Sequence, residues 1–223
     1  MTSDKKLGWT RDQMAQRVAR DLPDGAVVNL GIGTPTLVAN HLPRSGSGDA
    51  REIILHSENG VLGMGPAPAP GLEDYDLINA GKQPVSLVPG GCFFHHADSF
   101  AMMRGGQLDV CVLGAFQVSV GGDLANWHTG APGAIPAVGG AMDLALGAKQ
   151  TWVMMAHCSK DGASKLVPTC SYPLTAMACV RRVYTDLAVI DLIDGRALVR
   201  ELCEGLDLAA LQQLTAIPLT AGG

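Results

Sequence analysis

The sequence carries no surplus of positive charge; its formal net charge is -5. Nonspecific nucleic-acid binding and adhesion to an anionic membrane both need a basic face, so neither is expected, although local basic residues can still serve a phosphorylated ligand. No apolar run approaches the roughly 20 residues that cross a bilayer. The N-terminus, with Lys5 and Lys6 ahead of a polar helix, lacks a signal-peptide core. A cytoplasmic protein is the expectation. Paired C-x-x-C spacing is also missing: Cys92, Cys111, Cys158, Cys170, Cys179 and Cys203 lie scattered in or beside apolar segments, which reads as buried free thiols rather than a disulfide framework.

Metal and dinucleotide signatures are incomplete as well. His95 and His96 are adjacent, but neighbours on a helix point about 100° apart, and the one-turn spacing of H-E-x-x-H does not occur. His56 and Glu58 match the H-x-E of zinc deaminases, yet no P-C-x-x-C follows. No metal is expected. Gly31-Ile32-Gly33 opens like a dinucleotide fingerprint, but the third glycine is absent and Pro35 removes a donor.

What is present is enough apolar material for one full-sized core. With 223 residues, 47% of them hydrophobic, the chain reads as one domain over 1–223 with loose ends at 1–8 and 221–223. The 28 glycines and 13 prolines are spread between apolar runs, so no low-complexity tract forms. Ser45 to Asp49 reads as a flexible surface loop.

Thr10-Arg11-Asp12-Gln13 has capping-box spacing, and Met14, Val18, Ala19 and Leu22 recur at helical intervals, so residues 10–22 are expected as an amphipathic helix stopped by Pro23. Ala26 to Leu30 reads as a strand, with Thr34 as N-cap and Pro35 at the first position of the next helix. Further strands are expected at 85–88, 108–114, 116–120, 151–156 and 187–192, and Asp194-Gly195 as a hairpin turn into 197–202. Helical stretches are expected in the latter half of 93–104, after Gly139-Gly140, over 173–180 and over 207–214. Continuous rather than alternating apolar strands imply an α/β fold, a mainly parallel sheet covered by helices on both faces.

The chain is organised around Ile53 to Gly65. An apolar run delivers one carboxylate, Glu58, onto a turn that Asn59-Gly60 makes permissive to left-handed backbone angles. Where a rigid strand ends and a loop begins, a reactive side chain is fixed while room is left for substrate. On the residues alone, a polar turn accounts for the same pattern. Glu73, Asp74 and Asp76 similarly read as a solvated acidic run, Lys82 as a solvated lysine, and Trp127 either as a pocket wall or as a loop aromatic docked on the core. Gly139-Gly140 exposes backbone N–H groups suited to an oxyanion.

The segments Leu55-His56-Ser57-Glu58-Asn59-Gly60-Val61-Leu62-Gly63, Asn29-Leu30-Gly31-Ile32-Gly33, Asp76 to Lys82, Ser99 to Met102, Gly122 to Trp127 and Gly139 to Leu144 together resemble the β subunit of the 3-oxoacid CoA-transferase family, from about the first helix to the last. That resemblance implies Glu58 as nucleophile, Gly140 as backbone oxyanion donor and Lys82 near the CoA end of the site, with Asn29, Gly31, Gly33 and Asn59 also in the binding site. It implies no tightly bound cofactor, coenzyme A acting as the carrier substrate. It further implies a CoA-transferase α subunit as partner, a heterotetramer, and acyl-CoA and 3-oxo acid substrates. Phe93 to Asp98 and Trp127-His128-Thr129-Gly130 look most like the 3-oxoadipate branch, so His95, His96 or His128 is expected to help accommodate a second carboxylate, with Trp127 also in the binding site. The Pro66 to Pro70 loop is expected to help close the cleft. An acetoacetate-type acceptor, an acyl-CoA hydrolase and a noncatalytic ligand-binding domain are the competing readings.

Overall fold

A computed structural model describes residues 7–43, 51–131, 133, 135–136 and 138–222. The Ser45 to Asp49 loop, residues 1–6 of the expected loose N-terminus and Gly223 lie outside these.

The strands are β1 (Val27–Leu30), β2 (Ile54–Ser57), β3 (Val61–Met64), β4 (Leu87–Phe93), β5 (Val110–Leu113), β6 (Gln117–Ser119), β7 (Leu124–Ala125), β8 (Gln150–Met154), β9 (Leu166–Val167), β10 (Val180–Tyr184), β11 (Ala188–Ile193), β12 (Arg196–Leu202) and β13 (Leu219–Ala221). Four α-helices accompany them: α1 (Arg11–Asp21), α2 (His96–Arg104), α3 (Ala141–Gly147) and α4 (Leu208–Gln213), with a 3₁₀ helix at Thr34–His41. Ten strands form one sheet in the order β13-β12-β11-β10-β8-β5-β1-β2-β3-β4, and β7-β6-β9 make a small second sheet. The middle of the large sheet, β10-β8-β5-β1-β2, is parallel throughout, whereas β2-β3, β3-β4, β10-β11 and β11-β12 pair antiparallel.

Strand side chains alternate between faces, and the core divides accordingly. Val110 and Val112 of β5 join Val28, Leu30, Trp152 and Met154 under α1 and the 3₁₀ helix. Cys111 and Leu113 turn the other way, to a cluster with Met103 of α2, Leu144 of α3, Leu211 of α4 and the small sheet's Val118, Leu124 and Leu166. Both faces of β5 are therefore buried, which is why its sequence is apolar without interruption. Helix α1 starts as its sequence requires: Gln13 N–H donates to Thr10 Oγ1 at 3.2 Å, and Thr10 N–H donates back to Gln13 Oε1 at 2.9 Å.

Several elements differ from the sequence expectation. Residues 173–180 form no helix, because Thr175 and Ala176 hydrogen-bond through their backbone to Leu124 and Ala178 takes a positive φ of 49°. Gly33, not Thr34, caps the 3₁₀ helix, its φ of 95° being open to glycine and costly for threonine. Pro89 stands within β4, the outermost strand, where a missing N–H costs nothing to the ladder. Ala221, expected loose, pairs with Val199 at the opposite edge, and Trp9 N–H, next to the expected loose start, donates to Asp186 O. All six cysteines are free, but only Cys111 and Cys203 are buried; Cys158, Cys170 and Cys179 are half-buried and Cys92 on β4 is exposed.

Candidate active site

The C-terminal ends of β1, β2, β5 and β8 open onto one cavity of about 890 Å³. Its wall includes Gly31 after β1, Glu58 after β2, Gly114 to Phe116 after β5, and Met155 and Ala156 after β8. Strand order runs outward from β1 in opposite directions, through β5 and β8 on one side and β2 on the other. Such a reversal leaves a crevice outside the carboxyl ends of parallel strands, the general place for ligands in open α/β sheets.

Glu58 leaves β2 at the first residue of the Glu58–Gly60 turn and is half-buried. Gly60 is obligatory there: φ is 112°, and a Cβ would run into the Phe94 carbonyl oxygen. The turn leads antiparallel into β3, making Glu58 the apex of a hairpin at the margin of the parallel strands. Gly31, just past the end of β1, lets the chain approach β5 closely, where a Cβ would stand 3.0 Å from Val112 O.

A buried polar chain lies behind the carboxylate. Asn29 Nδ2 is 3.1 Å from Glu58 Oε2, 3.1 Å from His56 Nδ1 and 3.2 Å from His56 O. His56 Nε2 is 2.9 Å from Ser99 Oγ on α2. Burial lowers the His56 pKa from 6.5 to about 4, so the ring is neutral at physiological pH. Asn29 Oδ1 is buried and meets no protein partner among the described residues.

The remaining expected residues separate into two groups. Gly140 lines the cavity with Glu58 and Gly31, as the N-cap of α3. Asn59, Gly33, Lys82, His95, His96, Trp127 and His128 do not line it. Asn59 Nδ2 donates instead to Ile78 O at 2.8 Å, and Ala80 N–H to Ser57 Oγ at 3.3 Å, so the loop carrying Lys82 is fastened to the Glu58 turn. Lys82 itself is exposed at a positive φ of 62°. His95 Nδ1 accepts from Ala97 N–H and caps α2, while the His96 ring lies 4.9 Å from Phe100. Trp127 Nε1 donates to Leu174 O, and His128 Nδ1 accepts from Gly130 N–H. The His95, Trp127 and His128 contacts each fasten a loop. The Pro66 to Pro70 loop also stands off the cavity wall, tied by Ser86 N–H to Pro66 O. Glu73 and Asp74 accept from the nearby Gly71 and Asp76 N–H groups in exposed turns.

Two cationic residues that sequence reasoning passed over do line the cavity, Arg11 and Lys165. Lys165 is half-buried, donates to Ala115 O at 2.6 Å, and has its pKa lowered by burial despite the nearby Asp186. Its polar surroundings, Lys160 to Lys165, read in sequence as an ordinary loop. Among the described residues no group of three or more His, Cys, Asp or Glu is arranged to hold a metal, and no helix is long and apolar enough to cross a membrane.

A profile of the family described as coenzyme A transferase matches residues 11–211. Over 219 residues, 98% of this chain and 99% of the relative, the sequence is 66% identical to the B subunit of 3-oxoadipate CoA-transferase from Pseudomonas putida. It is 46% identical to the beta subunit of acetate CoA-transferase from Escherichia coli, over 92% of this chain and 91% of that one. Among solved structures, acyl-CoA transferase apoenzyme from Escherichia coli O157:H7 superposes with a TM-score of 0.72 at 21% identity, covering 100% of this chain and 43% of that longer chain. The last likeness concerns the fold.

Proposed function

Because this chain belongs to the coenzyme A transferase family, we propose that it is the β subunit of a two-subunit enzyme that moves CoA from succinyl-CoA to 3-oxoadipate, with Glu58 as nucleophile. The observation that carries this reading is Glu58 itself. It is a half-buried carboxylate on a strand-end turn, held by a neutral amide on the wall of a cavity within the size range of small-molecule sites.

The chemistry asks for a carboxylate. Passing CoA between acids without losing the thioester's free energy requires an enzyme intermediate that is also a carboxyl thioester; a serine ester would discard that energy. Glu58 attacks the thioester carbonyl of succinyl-CoA and CoA thiolate leaves, giving a mixed anhydride of Glu58 and succinate. The thiolate then attacks the Glu58 carbonyl, expelling succinate and leaving glutamyl-CoA. The 3-oxo acid's carboxylate attacks this thioester, and the same two steps in reverse yield 3-oxoacyl-CoA and free Glu58. The Gly140 backbone N–H serves as donor to the developing oxyanion, and Lys82 interacts with CoA beyond the cavity.

The partner is the α subunit of the same enzyme, in a heterotetramer. Two features support an incomplete site in this chain alone: relatives named as one subunit of an enzyme match it end to end, and the same fold occupies 43% of a longer acyl-CoA transferase chain. The 3-oxoadipate preference rests on the 66% identity to an enzyme of that name; the histidines offer no support for it, since they stand off the cavity wall. The test is to mix both subunits with succinyl-CoA, omit acceptor, and locate CoA by mass spectrometry. CoA esterified at Glu58, discharged faster by 3-oxoadipate than by acetoacetate, is the expected result. Free succinate accumulating without an adduct would indicate a hydrolase and overturn the assignment.

A further inference from the structure

We propose that His56 and Ser99 are positioning residues for the nucleophile, aiming the Asn29 amide at Glu58; the proposal rests on Glu58 being the group that carries CoA. Three acceptors surround Asn29 Nδ2: Glu58 Oε2, His56 Nδ1 and His56 O, all within 3.2 Å. Turning the amide over would press its oxygen against the Glu58 carboxylate and the His56 carbonyl, so the nitrogen must face them. The His56 Nδ1 lone pair is then an acceptor, and the neutral ring carries its single proton on Nε2, where it donates to Ser99 Oγ at 2.9 Å. The tautomer is fixed by its two neighbours.

What makes the ring more than filler is the other end of the amide. Asn29 is fully buried, and its Oδ1 has no protein partner among the described residues. With no described residue holding Asn29 from the oxygen side, the direction of its N–H groups is set by what accepts from Nδ2. Two of those acceptors belong to His56, and only the ring nitrogen is removable by substitution. The ring is in turn fixed by Ser99 and by stacking on Phe94, with centroids 5.9 Å apart and planes 19° from parallel. Ser99, His56 and Phe94 are buried or half-buried, so no solvent molecule competes freely for these contacts. The chain Ser99–His56–Asn29–Glu58 thus connects α2 to the nucleophile through β1 and β2. It supplies a neutral hydrogen bond to one carboxylate oxygen and leaves the other for attack.

The experiment compares His56→Leu, His56→Gln and Ser99→Ala in the complete two-subunit enzyme, measuring kcat, KM for succinyl-CoA and the rate at which CoA appears on Glu58. His56→Leu should lower kcat and the adduct rate roughly 10- to 100-fold, the order expected for a misaimed reacting group, with KM unchanged. Glutamine can accept from Asn29 and donate to Ser99, so His56→Gln should recover most of the loss. Ser99→Ala should show a smaller loss of the same kind. A folded His56→Leu enzyme that acquires CoA at the wild-type rate, or a glutamine variant as slow as the leucine one, overturns the proposal. Should His56→Leu fail to fold, Ser99→Ala decides, and wild-type turnover there rejects it. Glu58→Gln run alongside separates the two levels: if that variant still turns over, it is the nucleophile assignment that fails.

Discussion

Glu58 and Asp191 are both held carboxylates, and the company each keeps is opposite. Asp191, on β11, takes two hydrogen bonds from the Arg182 guanidinium, at 2.5 and 3.0 Å, and one from Arg200 at 2.8 Å. Burial pushes its pKa up, but the hydrogen bonds and charges of the two arginines outweigh that and hold it below the usual carboxylate range. Arg182 extends the network to Asp21 of α1, which also accepts from Tyr184 Oη at 3.0 Å. Glu58 has the Asn29 amide and, among the described residues, no ion pair. Two guanidiniums quench a carboxylate's basicity, while one neutral N–H orients it and leaves its lone pairs available. The same functional group joins β10, β11, β12 and α1 in one place and meets a single neutral amide on a cavity wall in the other.

The most direct way to break this contrast is Glu58→Gln, which keeps the shape and removes the carboxylate. Transfer in the assembled enzyme should fall on the order of 10³-fold or more, with the melting temperature unchanged. Asp191→Ala should do the reverse. It removes the acceptor that two guanidiniums share and should cost about 2 kcal/mol by denaturant titration, less than a fully buried pair because the Arg200 side chain is 36% exposed and Arg182 keeps Asp21. Activity per folded molecule should stay at the wild-type level.

A pH titration of stability sharpens the comparison further. His56 and His157 both have pKa values lowered by burial from 6.5 to about 4, His157 between Thr185 and Thr215. Their folded state prefers the neutral ring, so below pH 6.5 the unfolded chain binds protons that the folded chain refuses. Stability is full above that point and falls as pH drops toward 4, by at most about 3 kcal/mol per ring. Asp191 has a depressed pKa, so its contribution is lost only at still lower pH, as it protonates. His56→Gln should flatten the upper part of the curve, and Asp191→Asn the lower part. Identical curves for the two variants would erase the distinction between the regions.

How far the sequence reveals this depends on whether the signal is local. Strand β5 is legible because burial on both faces leaves an uninterrupted apolar run, and β8 and β11 because their runs are apolar but for Gln150 and Thr151 in one and Asp191 in the other. Strand β3 is not, since Gly63 breaks its pattern, and β4 is legible only at its start, where the strand expected at 85–88 overlaps Leu87 and Val88, because Pro89-Gly90-Gly91 breaks the rest. Residues 173–180 have the local pattern of a helix, and pairing of Thr175 and Ala176 with Leu124, about fifty positions back along the chain, overrides that preference. At the site, Glu58, Asn29, Gly31 and Gly140 are legible from turn chemistry and from the family resemblance. Lys165 is not, because a lysine in a polar loop gives no sign that its head group reaches back to Ala115. The resemblance of 93–98 and 127–130 to the 3-oxoadipate branch points His95, His96 or His128 at a second carboxylate, and in this chain His95 Nδ1 and His128 Nδ1 accept from backbone N–H groups of their own loops.

The parallel register of β1 with β5, Val28 opposite Val110, closes a loop of some eighty residues. Contacts of that span form slowly, since the entropy of bringing distant segments together is lost before any pairing repays it. Glu58 and Gly31 can meet early through β1 and β2, but the far wall arrives only when β5 and β8 dock. A newly made chain would therefore hold the Glu58 carboxylate for a time with nothing opposite it, and ligand capture would report the completion of the sheet rather than its beginning.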